Sequence, residues 1–379
     1  AVQCLSSAGN VRLYSSASNN WSRMLRTTTT QAPIAGDDVV IAGDLTGSGT
    51  GADITVTMNE TAATDYGSNT TSIVTPALAV CLRGILTWGV SAATNYYLKL
   101  SGYATIYAGG VMNMGTVASP MPRDSTAVLE FDCAADGDFG LRALWFSTLI
   151  GQGLSRTVGK NVAWCKLNTD EAVNSTSLGV DTDTGWLDND QIAVASTTRT
   201  NSQCEVGALN GNAGANTLTV DGFAGAGGGL AFAHGGTAPV QAEIINLTRN
   251  VKIRSASSSA MTFVYIQAGA AVDFDWVEFY YMGASLAPKR GIEIDGATGG
   301  GFFNIDIQYC SLHDFEANGF TVVGSAAITS ITNLIFSHNV MWNLASVSGP
   351  AAWITAALTP TNWTFDDNVA IRSTAASEY

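Results

Sequence analysis

Carboxylates crowd one stretch of this sequence: Asp273, Asp275, Glu278, Glu293, Asp295, Asp306, Asp314 and Glu316. Asp273 and Asp275 stand two apart, as do Glu293 and Asp295, so in a strand each pair shares one face. Strands stacked at about 4.8 Å would bring acids of neighbouring strands together. Paired carboxylates about 5 to 9 Å apart are what glycoside hydrolysis requires. Their oxygens are also hard donors, and calcium held by Asp273, Asp275, Glu293 and Asp295 is the cofactor reading they allow. Lys289 and Arg290 lie close by and would supply the base of a lyase or bind a glycan. His313, followed by Asp314, is a general-base or metal-ligand candidate, with His338 in a nearby position. Tyr280, Tyr281 and Trp342 offer faces that stack on sugar rings. The plainer alternatives are that the acids solvate an outer face and that the histidines and aromatics stack or pack. No nucleophile elbow, zincin helix or phosphate loop occurs in the sequence.

The elements that must position these residues repeat. The segments Ile245–Arg254, Val272–Tyr281, Ile305–Asp314, Leu334–Asn343 and Trp363–Arg372 align, starting at residues 245, 272, 305, 334 and 363, in steps of 27, 33, 29 and 29. A period of this size marks a solenoid. The third column holds Leu247, Phe274, Ile307, Phe336 and Phe365, all large and apolar, and polar residues alternate around it as in strands with one buried face. The sixth column holds Asn250, Val277, Cys310, Asn339 and Asn368. Asn tolerates left-handed backbone and bonds its own main chain, so it suits a corner, and stacked Asn side chains form ladders. A second series, starting at Gly291, Gly319 and Ala351, reads as another strand of the same coils. The expectation is an all-β chain ending in a right-handed parallel β-helix. An uncapped end after Trp363–Ile371 is an open strand edge, so self-association or another chain is expected there.

Composition narrows the class. The chain has 379 residues, 46% hydrophobic and only 13% charged, against a usual charged share of about 25%. It can bury a large core and is not a disordered chain. The net charge of −14 leaves no basic footprint, so no nucleic-acid partner is expected. No apolar run reaches about 18 residues, so no membrane span is expected. The surface is rich in Ser, Thr, Gly and Asn, as in secreted and virion proteins. Six cysteines without a C-x-x-C pair fit disulfides or buried thiols equally, with Cys310 read as a buried small residue. The sequence begins at Ala1 with no signal-peptide pattern, as a processed or partial chain would.

Three spans follow: a lead-in over 1–34, a Gly-rich β domain over 35–240, and a β-helix of about five coils over 241–379 that could be continuous with what precedes it. Within the second, Gly140–Leu154 has a helical spacing of apolar residues, and the Gly222–Gly236 stretch with His234 reads as a surface loop. Trp21, the Gly36-Asp-Asp-Val-Val-Ile strand, Gly109-Gly-Val-Met-Asn-Met-Gly-Thr116, Gly185-Trp-Leu-Asp188, His234-Gly235 and Leu247-Thr-Arg-Asn-Val-Lys-Ile253 occur in order. On these motifs, residues 21 to 345 resemble the eight-glycine (G-eight) domain family. Its members include hyaluronan-depolymerising cell-surface proteins and fibrocystin-type receptors, and a microbial or viral member fits best. The resemblance implies that the Leu-Thr-Arg-Asn-Val run leads into a parallel β-helix. It also exposes a departure. Where hyaluronan-acting relatives carry histidines, Lys289-Arg-Gly-Ile-Glu-Ile-Asp295 has Glu293 and Asp295. The expected function is therefore a structural extracellular or virion-surface β-helix (fibre, spike or coat) that binds a glycan. The alternative is a polysaccharide hydrolase or lyase working through coil carboxylates.

Overall fold

In this computed structural model, residues 12–15, 24–25, 37–41, 53–58, 65–66, 76–198, 200–267, 269–295, 304–316, 318–323, 330–344, 352–354 and 359–371 are described. The chain is an all-β solenoid. Three sheets, here A, B and C, run its length, and every coil gives each of them one strand. A typical coil is Val264–Gln267 in sheet A, Ala271–Asp275 in B and Val277–Met282 in C. The next is Ile292–Asp295, Asn304–Gln308 and Ser311–Phe315. All three ladders between these two coils are parallel. The ladders extend back beyond the coils recognised in the sequence, to Asp37–Ile41, Ile54–Met58 and Asp65–Tyr66. Sheet A also takes two antiparallel strands, Arg12–Ser15 and Met24–Leu25.

The period-two pattern sets which side chains face inward. Val272, Phe274, Ile305, Ile307, Leu334 and Phe336 are all 2% exposed or less, and the residues between them face outward. In sheet B, Phe274, Ile307, Phe336 and Phe365 are register partners in turn. The first three are core, Phe365 on the last coil is 40% exposed, and Leu247 of the same column packs with Ile245 outside this sheet. Phe336 is closed in by Phe320, whose ring centroid lies 4.5 Å away, and by Phe365 at 5.9 Å.

The sixth column forms the corner between sheets B and C. Cys310 N donates to Asn339 Oδ1 at 2.9 Å, and Asn339 N donates to Asn368 Oδ1 at 3.0 Å. Each Asn amide in turn donates to a carbonyl of the coil above, Asn339 to Ile307 O and Asn368 to Phe336 O. The left-handed residue, however, is the one before it: Trp276, Tyr309, His338 and Asp367 have φ between 51° and 57°. The ladder bonds outweigh the backbone preference of Asn, and the neighbour takes the strained conformation. Three of those neighbours stack, Trp276 on Tyr309 at 4.9 Å and Tyr309 on His338 at 4.6 Å.

Three expectations are corrected. Ile245 is not in sheet B. It lies in Glu243–Asn246, part of a separate antiparallel sheet of six strands inserted between Thr148–Gln152 and Val251–Ser255. Its expected place beside Val272 belongs to Leu149, and that of Leu247 beside Phe274 belongs to Gly151, where an added Cβ would sit 3.0 Å from the Phe274 ring. The Gly140–Leu154 stretch is not helical. It is two strands, Leu141–Ala143 and Thr148–Gln152, turning at a corner. The tertiary demand for strand pairing overrides its apolar spacing. Finally, His234 is buried rather than on a surface loop. Its Nε2 lies 2.8 Å from Glu205 Oε1, its Nδ1 lies 2.9 Å from Ala195 O, and the inserted sheet closes around it.

The inserted sheet has its own core of Leu178, Trp186, Ile192, Leu218, Leu230 and Ile244. Through Ala193, Ile245 and Leu247 it also covers Val340, Trp342 and Ile371 on the outside of sheet C. Cys81 is disulfide-bonded, whereas Cys133, Cys165 and Cys310 are buried thiols. Among the described residues no helix is long and apolar enough to cross a membrane.

Candidate functional site

The three sheets divide the candidate residues. On the outer face of sheet B, Asp273 and Asp306 are register partners on adjacent strands, so they stand about 4.8 Å apart along the stack. Asp275 is two residues along from Asp273 on the same face. Gln152 Nε2, on the preceding coil, donates to Asp273 Oδ1 at 2.6 Å. Asp275 Oδ1 and Asp306 Oδ1 are buried with no hydrogen-bond partner. Burial, and then the charges of Asp273 and Asp306, push the Asp275 carboxyl up to about 7. Asp273 is raised by burial and by Asp306, and Asp306 by burial. Three carboxyls therefore share one partly dry face with one proton donor poised near neutrality.

Asp273 and Asp306 line an open groove of about 360 Å³. Its floor and walls include Thr148, Ile150, Asp273, Asn304, Asp306 and Ile335. Asn304 continues into a second amide ladder, accepting from Asn333 Nδ2, while Asn333 Oδ1 accepts from Asn362 Nδ2. The groove thus presents carboxylates, amides and small apolar surfaces in a row parallel to the solenoid axis. The chemistry it can do is to accept hydrogen bonds from hydroxyls, with the raised Asp275 carboxyl two residues from Asp273 on the same strand as a proton donor.

Glu293 and Asp295 are on the outside of sheet A, not with Asp273 and Asp275. The four therefore do not form one calcium site. Among the described residues no group of three or more His, Cys, Asp or Glu is placed to hold a metal ion. Glu293 is 2% exposed and raised by burial, with Arg290 N donating to it at 3.3 Å. Asp295 accepts from the Tyr265 hydroxyl at 2.7 Å. Lys289 donates to Gly137 O and lies over the Phe263 ring, so its ammonium ties two loops together.

His313 and Asp314 are on sheet C, in a third place. His313 is 3% exposed. Its Nδ1 is 2.9 Å from Asp314 Oδ2, its Nε2 is 3.5 Å from Glu278 Oε1, and its ring stacks on Tyr280 at 5.1 Å. Lys252 donates to both oxygens of Glu278, and Arg249 N donates to Oε2. Tyr280 is 8% and Trp342 2% exposed, so neither has a face open to a sugar. Tyr281 is half-buried against Tyr280. This cluster is a buried network that binds coil to coil.

The sequence pairs Asp273 and Asp306 in its second column, and that is the signal which finds the groove. Gln152 and the corner residues Trp145 and Phe146 give no such signal, because their coil is interrupted by the insertion, whereas Asn304 stands one residue ahead of the first column, as Asn333 and Asn362 do. The Leu247–Val251 run also has a structural account. Arg249, 1% exposed, donates from Nε to Tyr309 O and from Nη1 to Asn246 O, and Asn250 donates to Met121 O and Pro122 O. These bonds lock the return from the inserted sheet into the coil.

No protein-family model and no curated protein matches the chain, so the eight-glycine resemblance has no match behind it. Among solved structures, the chain is similar to the tailspike protein gp49 from Pseudomonas phage LKA1, at 10% identity and TM-score 0.23, over 76% of this chain and 47% of that one. It is similar to the Gp54 tailspike of Acinetobacter baumannii bacteriophage AP22, solved in complex with A. baumannii capsular saccharide, at 12% identity and TM-score 0.20, over 74% and 52%. It is also similar to the Pseudomonas phage phi297 tailspike gp61, at 12% identity and TM-score 0.23, over 71% and 55%. The chain spans about half the length of these tailspikes.

Proposed function

We propose that this chain is a glycan-binding parallel β-helix that works outside a cell or on a virion surface and takes a polysaccharide along the outer face of sheet B. The carrying observation is the groove itself: Asp273, Asp306, Asn304 and Thr148 line it beside Ile150 and Ile335. Rows of acceptors and amides at the coil spacing match the repeat of hydroxyls along a sugar chain, and the isoleucines match its C–H faces. The test is a glycan array with the wild-type chain and Asp306→Asn. Specific binding that weakens in the variant supports the reading, and an array without signal refutes it.

Hydrolysis is the second reading, and Asp275 favours it. A carboxyl held up to about 7 keeps its proton at mildly acidic pH, and the neighbouring acids supply a base or nucleophile. Release of reducing ends from a bound glycan, lost in Asp275→Asn, is the result it requires. We further take the last strands, Ala352–Ile354, Thr359–Asp366 and Val369–Ile371, as an edge for a second chain. Each has one strand neighbour among the described residues. Light scattering that finds only monomer would count against that.

A further inference from the structure

Between sheets A and B, four successive coils turn through a left-handed residue: Arg83 (φ 61°), Gly109 (φ 71°), Phe146 (φ 53°) and Gly269 (φ 83°). Their main chains are bonded from coil to coil. Arg83 N donates to Gly109 O, Gly109 N to Phe146 O, and Phe146 N to Gly269 O, at 2.8 to 3.1 Å. Glycine takes this conformation without strain. A bulky aromatic there is an outlier, and its energy is raised by the contact of Cβ with the carbonyl. Burial does not compensate Phe146, which is 74% exposed, with Trp145 beside it at 40%. Neither the corner geometry nor the core therefore explains two large rings here. Strained, exposed residues of this kind are found where a site needs them. Two residues further on, Thr148 begins the groove of sheet B, and Ile150 continues it.

We propose that Trp145 and Phe146 are an aromatic platform at the rim of this groove that stacks uncharged pyranose rings. The inference rests on the glycan-binding reading and specifies its ligand class. Flat, wet aromatic faces take up the C–H faces of sugars. The groove beside them has Asp273 and Asp306 but no Lys, Arg or His among its lining residues. A uronate would meet like charge at close range there, with no cation to offset it. The net charge of −14 adds to that repulsion at longer range.

Affinity electrophoresis tests this with wild type, Phe146→Gly and Trp145→Ser in gels containing hydroxyethyl cellulose, mannan, galactomannan or alginate. The wild type is expected to be retarded by at least one uncharged polymer and not by alginate. Each variant is expected to bind roughly tenfold more weakly, the loss of one aromatic contact. Phe146→Gly is expected to melt at or above the wild type, because glycine relieves the corner. Variants that bind like the wild type, or a preference for alginate, overturn the platform and leave glycan binding standing. A Phe146→Gly protein that melts well below the wild type shows the ring to be structural and also overturns it. A wild type retarded in none of the gels overturns the platform and the glycan-binding reading together.

Discussion

Replacing Glu278 by Gln probes the buried network on sheet C. In the folded chain Glu278 loses solvation, which raises its pKa, but Lys252, then His313 and the Arg249 amide, outweigh this and bring it to about 2, from an ordinary 4.5. That difference corresponds to about 3 kcal/mol of stability. Because the folded value lies below the unfolded one, this contribution is complete above pH 4.5 and is lost as pH falls toward 2. His313 has the opposite sign. Burial lowers its pKa, but Asp314 and Glu278 raise it above 6.5. Its contribution is complete below pH 6.5 and is lost as pH rises through the folded value. The two shifts share the Glu278–His313 contact, so they are not added. Stability from the pair is greatest between about pH 4.5 and 6.5. Glu278→Gln removes the charge facing Lys252 and His313, so at pH 5.5 it is expected to destabilise by about 3 kcal/mol and to flatten the acid limb. Urea unfolding followed by Trp fluorescence from pH 2.5 to 8 measures both. A variant with wild-type stability and an unchanged acid limb would refute the reasoning.

Other outcomes follow from the same coordinates. Phe336→Ala opens a cavity between Ile307, Phe320 and Phe365 and is expected to cost about 3 to 5 kcal/mol, read by chemical denaturation; unchanged unfolding would break the core stack. If the groove hydrolyses a glycan, the rate should fall as pH rises through about 7, where Asp275 loses its proton, and Asp275→Asn should lower it by about 10² to 10⁴; a flat profile removes Asp275 as the acid. Hyaluronan viscosity is expected to stay constant with this chain at neutral and mildly acidic pH, with Glu293→Gln/Asp295→Asn as control. Glu293 is buried and Asp295 is engaged by Tyr265, so neither replaces a histidine base. Cleavage lost in the double variant would reverse that.

How much of this was legible in the sequence depends on what kind of spacing was read. Fixed steps carry information about stacking, and three members of the third column became the Phe274–Ile307–Phe336 core, with Phe365 stacked on it at the last coil. The same columns hold Asp273 over Asp306, so half of the groove is present in the repeat alignment. The other half was hidden by topology. Thr148–Gln152 belongs to the same ladder, but the inserted sheet separates it from its own return strand, and Ile245 mimicked the missing rung. An apolar residue ahead of an Asn corner satisfies the pattern whether it faces the solenoid core or the inserted sheet, since both are apolar. Exposure was illegible for a related reason. Tyr280 and Trp342 occupy outward positions in sheet C, and outward means solvent only where nothing covers the sheet. Trp342 is covered by Ala193, Ile245 and Leu247 of the insertion, and Tyr280 by Arg254, His313 and Tyr281. In sheet B the outward positions Asp273, Asn304, Asp306 and Ile335 line an open groove. Period-two patterning tells inside from outside of a coil. Only the fold of the inserted sheet tells which outside faces water.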